Sequence, residues 1–226
     1  MRKQSGQHVK ELKIEIAEDE GNFFIDQTEV VDLLNAAHTD YVLSLTKNQL
    51  DLRQLERRME QHAFVADAQI YMDVEGVMNV RILQARPVAR LLYKGSNGNY
   101  IDQKGNLLPL NGRHTARVPI IQLKGDLPWK TSVYENQLGE DLMGLIRFIE
   151  ADPFWKAQIA HMIIDDKSAI TMIPQVTKQE IRFGYPEDFE RKFRKLKIFY
   201  KEILPAKGWN TYAFVDVKYK DQIVCE

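Results

Sequence analysis

Apolar and polar residues alternate at the start of the chain. Leu12, Ile14 and Ile16 are separated by charged residues. A period of two is typical of a strand with one buried face, so the pattern predicts a strand over residues 9–16. The polar run at 19–22 predicts that this strand ends before it.

Two helices are predicted next, because apolar residues then recur every three or four positions. The first spans 28–37, with Thr28 as its candidate N-cap, since a hydroxyl can accept a bond from an unpaired N–H of the first turn. The second spans 51–63, and the carboxylate of Asp51 suits both the cap position and the positive end of the helix dipole.

A hairpin is predicted over residues 68–84. Alternation resumes on both sides of Glu75-Gly76, and glycine can adopt the positive φ that a tight turn needs. The sum over residues 9–84 is strand, helix, helix, strand, strand. This order predicts a small α+β domain in which two helices cover one face of a three-stranded sheet.

The pattern changes at Arg86-Pro87, because proline biases the residue before it towards an extended backbone. Beyond it the sequence predicts short strands separated by turns, with two helices among them. The predicted strands are 90–93, 100–102, 119–121, 159–164, 169–173, 180–183 and 211–220, and the predicted helices are 138–149 and 186–204. Pro186 begins the last helix, and Pro205 and Gly208 end it. We therefore predict two domains, 9–86 and 87–226, after a short linker of residues 1–8.

Composition excludes some classes of protein. The 226 residues carry 31 lysines and arginines against 32 aspartates and glutamates, a formal net charge of −1. A protein that binds phosphate backbones needs an excess of positive charge, so we expect no nucleic-acid partner. No run of about 18 apolar residues occurs, so no segment of this sequence is expected to span a bilayer. The one cysteine, Cys225, excludes an internal disulfide.

No residue pattern predicts a catalytic site. The five histidines do not pair at helical metal-ligand spacing, and no serine-hydrolase elbow occurs. The glycine-rich run at 95–99 is not followed by a phosphate-binding helix, so it predicts a hairpin turn. Neighbouring carboxylates such as Asp165-Asp166 do not face each other, and nothing would place a base beside Cys225. We therefore expect no catalytic, cofactor-binding or metal-binding residues and no cofactor.

A basic run in the last helix is the sharpest local charge feature. It consists of Arg191, Lys192, Arg194, Lys195, Lys197 and Lys201. Such a run could bind an anionic lipid surface or an acidic partner. The favoured interpretation is the solvated face of an amphipathic helix, because Phe189, Phe193 and Leu196 form the other face and neighbouring acidic residues dilute the charge.

The residues and their order resemble a known family. Residues 9–84 resemble a POTRA domain, the polypeptide-transport-associated unit of β-α-α-β-β order. Arg86-Pro87-Val88-Ala89, followed by Tyr100-Ile101-Asp102-Gln103-Lys104-Gly105, resembles the junction into the second domain of the bacterial cell-division proteins FtsQ and DivIB. The segment 180–219 is similar to the strand–helix–strand end of that family. The resemblance implies an α+β fold, with a POTRA domain followed by a mainly antiparallel β domain that has two or more flanking helices.

The resemblance also implies a place and a role. Members of this family carry a transmembrane helix immediately before the POTRA domain, and this sequence lacks it. We therefore expect a sequence that begins just outside the membrane, with residues 1–8 as the remnant of a juxtamembrane linker. The implied location is the periplasmic face of the bacterial inner membrane, at the division septum. The implied role is a non-enzymatic divisome scaffold that links early and late cell-division proteins.

The partners implied by the resemblance are FtsB and FtsL, with other divisome proteins at the POTRA domain. In this family the last strands of the β domain bind FtsB, which adds a strand to an exposed edge. By position, the implied contacts are Val217, Lys218, Tyr219, Lys220 and Ile223. Lys218 could meet an acidic partner residue, and Tyr219 offers an apolar ring with a polar tip. Tyr219 shares the parity of Val215 and Val217, so spacing alone leaves an inward position open, and only the resemblance favours the partner contact.

Two other functions stay open at this point. A POTRA-bearing component of outer-membrane protein assembly or secretion would handle client polypeptide. That function would require further domains such as tandem POTRA copies, and this sequence shows none. A hydrolase with an unrecognised site would need a deep pocket with convergent polar groups and a displaced pKa.

Overall fold

A computed structural model describes residues 8–17, 21, 23–35 and 42–226 of the chain. The predicted linker up to residue 7, residues 19, 20 and 22 of the polar run, and the last two residues of the predicted helix 28–37 lie outside the described residues. The chain divides into two compact units. The first contains the residues through Arg86 together with Asn111–Ala116, and the second contains Pro87–Leu110 and Arg117–Glu226.

The first unit is a three-stranded sheet with two helices, in the predicted β-α-α-β-β order. Its elements are β1 (Glu11–Ala17), α1 (Gln27–Asn35), α2 (Leu52–Glu60), β2 (Val65–Met72) and β3 (Val77–Gln84). The middle strand β3 is parallel to β1 and antiparallel to β2. Apolar side chains of both helices and the sheet form one core, which includes Val30, Leu34, Leu55, Met59 and Ile82.

The start of α1 differs from the prediction. Thr28 lies inside the helix, and Asp26 caps it, because the Asp26 Oδ1 accepts a hydrogen bond from the Glu29 N–H at 2.9 Å. The Glu29 carboxylate in turn accepts from the Asp26 N–H at 3.3 Å, so each side chain satisfies the other's backbone donor. The predicted cap of α2 is confirmed, since the Asp51 Oδ1 accepts from the Gln54 N–H at 3.0 Å.

Residues 111–116 join the first unit although they follow the predicted boundary. Asn111 donates through Nδ2 to the Phe24 carbonyl at 2.9 Å. Arg113 forms ion pairs with Asp26 at 2.7 Å and with Glu29 at 2.9 Å. These contacts join positions 84 to 87 residues apart, so no local pattern in the sequence could have indicated them.

The second unit is built on a nine-stranded, mainly antiparallel sheet with several helices. Its strands are β4 (Pro87–Leu92), β5 (Asn99–Asp102), β6 (Leu107–Leu108), β7 (Ile120–Leu123), β8 (Ile159–Ile164), β9 (Ile170–Pro174), β10 (Glu180–Gly184), β11 (Phe214–Asp216) and β12 (Val224–Cys225). Their spatial order is β12-β11-β10-β9-β8-β7-β4-β5-β6, with parallel pairs at β4–β7, β7–β8 and β10–β11. The helices are α3 (Gln137–Ala151), α4 (Pro153–Gln158), α5 (Phe189–Ile198) and α6 (Leu204–Lys207).

One apolar core joins these helices to the sheet. Leu142 of α3, Trp155 of α4, and Phe193 and Leu196 of α5 belong to the same buried cluster, which also contains Val215 of β11. The ring centres of Trp155 and Phe193 are 4.7 Å apart. The core therefore fixes α5 against the end of the sheet that β11 and β12 form. Among the helices of the described residues, none is long and apolar enough to cross a membrane.

The helix predicted over 186–204 begins later and ends later than predicted. Asp188 has a left-handed φ of 48°, and α5 starts at the next residue, so Pro186 belongs to the preceding turn. The helix widens into a π-helical turn over Phe199–Ile203 and continues as α6, in whose first turn Pro205 lies. Pro205 does not end the helix, since it directly follows the π-helical turn, where the Leu204 N–H bonds to the Phe199 carbonyl five residues back. Gly208, with a φ of 103°, ends it.

The strand predicted over 211–220 is wrong in its extent. Only Phe214–Asp216 forms a strand, which is β11. The chain then leaves the sheet and returns as β12, antiparallel to β11. Lys218, Tyr219 and Lys220 therefore do not lie on a strand.

The other end of the sheet, at β6, is covered by a turn that Glu135 holds. The Glu135 carboxylate accepts from the backbone N–H groups of Thr131, Lys130 and Ser132. The Thr131 carbonyl accepts from the Leu107 N–H of β6 at 2.8 Å. The bonds to the backbone lower the pKa of Glu135 from 4.5 to about 2, because they favour the ionised carboxylate.

We expect Glu135→Gln to lower the melting temperature by a few degrees at pH 7 and by much less at pH 2. Because the folded pKa lies below the unfolded value, the stabilisation is complete above about pH 4.5 and disappears as the pH falls towards 2. Thermal unfolding of both proteins across this range measures the difference. Glu180→Gln, at an exposed position on β10, controls for the loss of one negative charge. An equal difference at the two pH values would contradict the prediction.

Candidate partner-binding edge

β12 forms one end of the nine-stranded sheet. Val215 is paired with Cys225 and Asp216 with Val224, and within the part of the chain that the structure describes no strand pairs with the other side of β12. The side chain of Val224 is exposed, whereas Cys225 packs against the core, and burial raises the pKa of its thiol. An edge strand of this kind presents backbone donors and acceptors to a further strand.

The direction of these backbone groups follows from the bonds of a neighbouring residue. Phe214 and Glu226 exchange both of their backbone hydrogen bonds, at 3.1 and 3.3 Å. In an antiparallel ladder, such pairs alternate with pairs that make no bonds to each other. Cys225, one residue before Glu226, therefore directs its N–H and C=O away from β11. A further strand could bond to them.

A buried lysine shapes the segment between β11 and β12. Lys195 of α5 donates through its ammonium to the carbonyls of Val217, Tyr219 and Gln222, the last at 3.4 Å. An ammonium group has three donors and can serve several carbonyls at once. These bonds take the place of the ladder that a longer β11 would have made. They explain why the chain leaves the sheet earlier than its alternating pattern predicts.

The position of Lys195 corrects the interpretation of the basic run as a solvated face. Lys195 and Lys192 are both buried. Lys192 donates to the Tyr185 carbonyl at 2.7 Å and lies 4.8 Å from the centre of the Phe183 ring. Burial lowers the pKa of both lysines, because it disfavours the charged form. The exposed members of the run are Arg194, Lys197 and Lys201.

Lys218 and Tyr219 form a charged and aromatic cluster at the surface. The buried carboxylate of Asp216 accepts from the Lys218 backbone N–H at 3.0 Å and lies 2.9 Å from the Lys218 Nζ. The bond to Asp216 raises the pKa of Lys218. The same Nζ lies 4.9 Å from the centre of the Tyr219 ring, which is a cation–π distance. The cluster therefore presents a fixed cation beside an aromatic ring that is 44% exposed.

The structure separates the five residues that the resemblance implies as partner contacts. Lys218, Tyr219 and Lys220 are exposed, and Ile223 is half-buried. Val217 is fully buried in the core, so its side chain is not available to a partner. Tyr219 does not follow Val217 inward, because the chain has left the strand by that point.

Sequence reasoning missed the structural roles of Lys195 and Asp216, and it missed strand β12. Lys192 and Lys195 each precede a residue of the apolar stripe by one position, so they lie at its edge. A long side chain at such a position can bury its stem and extend its ammonium to backbone carbonyls. The apolar run 223–225 was a usable signal for β12.

The chemistry that this edge offers is backbone hydrogen bonding, the exposed lysines Lys218 and Lys220, and apolar surface. Among the residues that the structure describes, no group of three histidine, cysteine or carboxylate side chains could hold a metal ion. The arrangement is suited to binding a polypeptide through backbone and side-chain contacts.

Two known families match parts of this chain. The family described as FtsQ/DivIB, C-terminal related, matches residues 86–226, which contain all nine strands of the larger sheet. The chain belongs to the FtsQ/DivIB family. The family described as POTRA-like domain matches residues 7–83. No curated protein matches the chain.

Membership of the FtsQ/DivIB family supports a divisome-type scaffold role for this chain. The FtsQ/DivIB family is a non-catalytic family of cell division, and it suggests a membrane protein of the division site. The domain order implied by the resemblance, a POTRA domain before a mainly antiparallel β domain, is confirmed.

Proposed function

We propose that this chain is the periplasmic part of an FtsQ-like scaffold and that its β12 edge binds FtsB, with FtsL. The observation that carries the proposal is the open side of β12, to which Cys225 directs its N–H and C=O. Strand addition satisfies these groups without needing a pocket. The proposed backbone contact is therefore Ile223–Cys225, of which the resemblance had implied only Ile223.

The segment that leads into β12 would supply the side-chain contacts. Tyr219 offers an exposed ring, and Lys218 beside it offers a cation to an acidic residue of FtsB. Lys220 and Ile223 are accessible and stay in the proposed contact. Val217 leaves it because its side chain is buried.

The proposed location is the periplasmic face of the inner membrane at the septum. A transmembrane helix before the POTRA-like unit would hold the chain there, with residues 1–8 as a juxtamembrane linker. The POTRA-like unit would contact other divisome proteins, and the chain would act without catalysis. The family match over residues 86–226 favours cell division over outer-membrane protein assembly.

We expect Cys225→Pro to weaken FtsB binding by about tenfold or more, because strand addition loses a backbone bond and meets the proline ring. The N–H that proline removes points away from β11, so the β11–β12 pair keeps its own bonds. Isothermal titration calorimetry with the extracytoplasmic segment of FtsB from the same genome measures the affinity. Cys225→Ala keeps the N–H and should bind as the parent protein does.

Two side-chain variants refine this test. Tyr219→Ala and Lys218→Gln should each weaken FtsB binding without lowering the melting temperature by more than a few degrees. Glutamine is chosen because a second carboxylate beside the buried Asp216 would perturb the fold. Lys207→Glu, exposed on α6, controls for a charge change elsewhere on this unit. If Cys225→Pro, Tyr219→Ala and Lys218→Gln all bind with unchanged affinity, the β12 edge is not the binding site.

A further inference from the structure

A groove runs between α4, the loop after β9 and the π-helical turn of the second unit. It encloses about 380 Å³, and we call it the Trp209 groove. The lining residues used in the argument are Phe154, Gln158, Val176, Lys197, Lys201 and Trp209. All of them lie in the second unit, and none belongs to the β12 edge.

The wall of the Trp209 groove is apolar and accessible. Trp209 is 50% exposed and Val176 is 73% exposed, and Phe154 is exposed to a similar extent. The Phe154 ring lies 6.1 Å from the ring of Tyr200, which also lines the groove. The Trp209 carbonyl accepts from the side-chain amide of Gln179, so its backbone is anchored. Large accessible rings around a concavity are typical of the central contacts of protein interfaces.

The charge at the rim of the groove has one sign. Lys197 and Lys201 line it, and among the residues that the structure describes no carboxylate does. The Lys197 Nζ lies 3.2 Å from a carboxylate oxygen of Asp152, so its charge is partly balanced. Lys201 is exposed at the groove. A complementary occupant would bring negative charge to this rim.

The groove also contains an acceptor in need of a donor. The Gln158 Oε1 is buried, and in the part of the chain that the structure describes it has no hydrogen-bond partner. A buried acceptor without a partner is costly, and once the Gln158 side chain turns into the groove, an N–H group of an occupant would satisfy it. A lipid acyl chain carries no such donor, whereas every polypeptide backbone does.

We propose that the Trp209 groove binds a segment of a partner polypeptide in which an apolar side chain is flanked by carboxylates. The apolar side chain packs against Trp209, Val176 and Phe154. A carboxylate meets Lys201, and a backbone N–H meets the Gln158 Oε1. This is a second binding surface, separate from the β12 edge, and it does not depend on the proposal for FtsB.

The experiment is a selection of random twelve-residue peptides displayed on phage against the full chain. We expect enrichment of sequences that place leucine or an aromatic residue beside aspartate or glutamate. The selected peptides, made synthetically, should shift the tryptophan emission of the protein. Trp129 and Trp155 are buried in the core, so such a shift reports on Trp209.

Matched variants decide whether these peptides occupy the groove. Lys201→Glu and Val176→Glu should each weaken binding at least about tenfold, because one reverses the rim charge and the other places a charge on the apolar wall. Arg194→Glu, exposed on α5 and outside the groove, should change the affinity less than about twofold. Cys225→Pro should leave this binding intact, which separates the result from that of the FtsB test.

Other outcomes overturn the proposal. They are a failure to enrich any peptide, enrichment of peptides without carboxylates, and binding that Lys201→Glu leaves unchanged. Stronger binding of the protein to anionic phospholipid vesicles than to the selected peptides would assign the groove to a membrane surface. Self-association that Trp209→Ala abolishes would assign it to a second copy of the chain.

Discussion

Replacing Lys195 with methionine should lower the free energy of unfolding of the second unit by about 3 kcal/mol. Three carbonyls, those of Val217, Tyr219 and Gln222, lose the ammonium that serves them. The bond to Val217 is buried and the other two are part-buried. An acceptor left without a donor there costs about 1 kcal/mol or more, and methionine fills much of the volume, so packing changes little. Urea unfolding, followed by tryptophan emission, measures this loss, because all three tryptophans lie in the second unit.

The same variant should also weaken FtsB binding at the proposed edge. Without Lys195, the segment 217–222 loses the contacts that fix its path into β12, so Tyr219 and the edge strand become less ordered. Faster hydrogen exchange at the amides of residues 217–225 would report this directly. A purely structural lysine would lower stability without any selective change in this segment.

Lys192→Met is the matched control, because Lys192 is a buried lysine on the same helix. Its ammonium donates to one carbonyl, that of Tyr185. Among the residues that the structure describes, no hydrogen bond joins Lys192 to residues 217–222. We expect a loss of about 1–2 kcal/mol and unchanged FtsB binding. If both variants lose the same stability and neither changes binding or exchange, Lys195 does not organise the edge.

The sequence alone predicts those structural elements that are determined by neighbouring residues. The cap of α2 depends on the side chain of Asp51 alone. The turn at Gly76, where φ is 89°, depends on glycine, the residue type that has no Cβ. Strand β8 occupies the predicted residues 159–164, since a run of apolar residues bounded by turn signals specifies it alone. The order of elements in the first unit could be predicted for the same reason.

The site could be predicted only in part, because its shape depends on residues distant in sequence. The alternation over 211–220 favours one strand, and nothing near it reveals that an ammonium on α5 binds its carbonyls instead. The resemblance implied Tyr219 as a contact while spacing left its exposure open, and the structure shows that its ring is exposed. It also implied Val217, which the core encloses, because a positional match carries no information on burial.

A single added methyl group at Gly139, in the first turn of α3, should cause a large loss of stability. An ideal Cβ there would lie 1.7 Å from the Val133 carbonyl oxygen, and a backbone atom cannot move aside as a side chain can. The Asn136 side chain fixes this turn, since its Oδ1 accepts from the Gly139 N–H at 3.0 Å and from the Trp129 Nε1 at 2.9 Å. We expect Gly139→Ala to destabilise the second unit by about 3 kcal/mol or more in urea unfolding.

Gly144→Ala on the same helix isolates the cause. The nearest atom to a Cβ at Gly144 is a ring carbon of Phe189 at 3.6 Å, an ordinary contact. Both substitutions reduce the entropy of the unfolded chain and raise helix propensity to the same extent, so those terms cancel in the comparison. Gly144→Ala should therefore stabilise the unit by about 0.5–1 kcal/mol. If the two variants change the stability equally, the Val133 carbonyl does not crowd a Cβ at Gly139 in the way described, and the prediction is wrong.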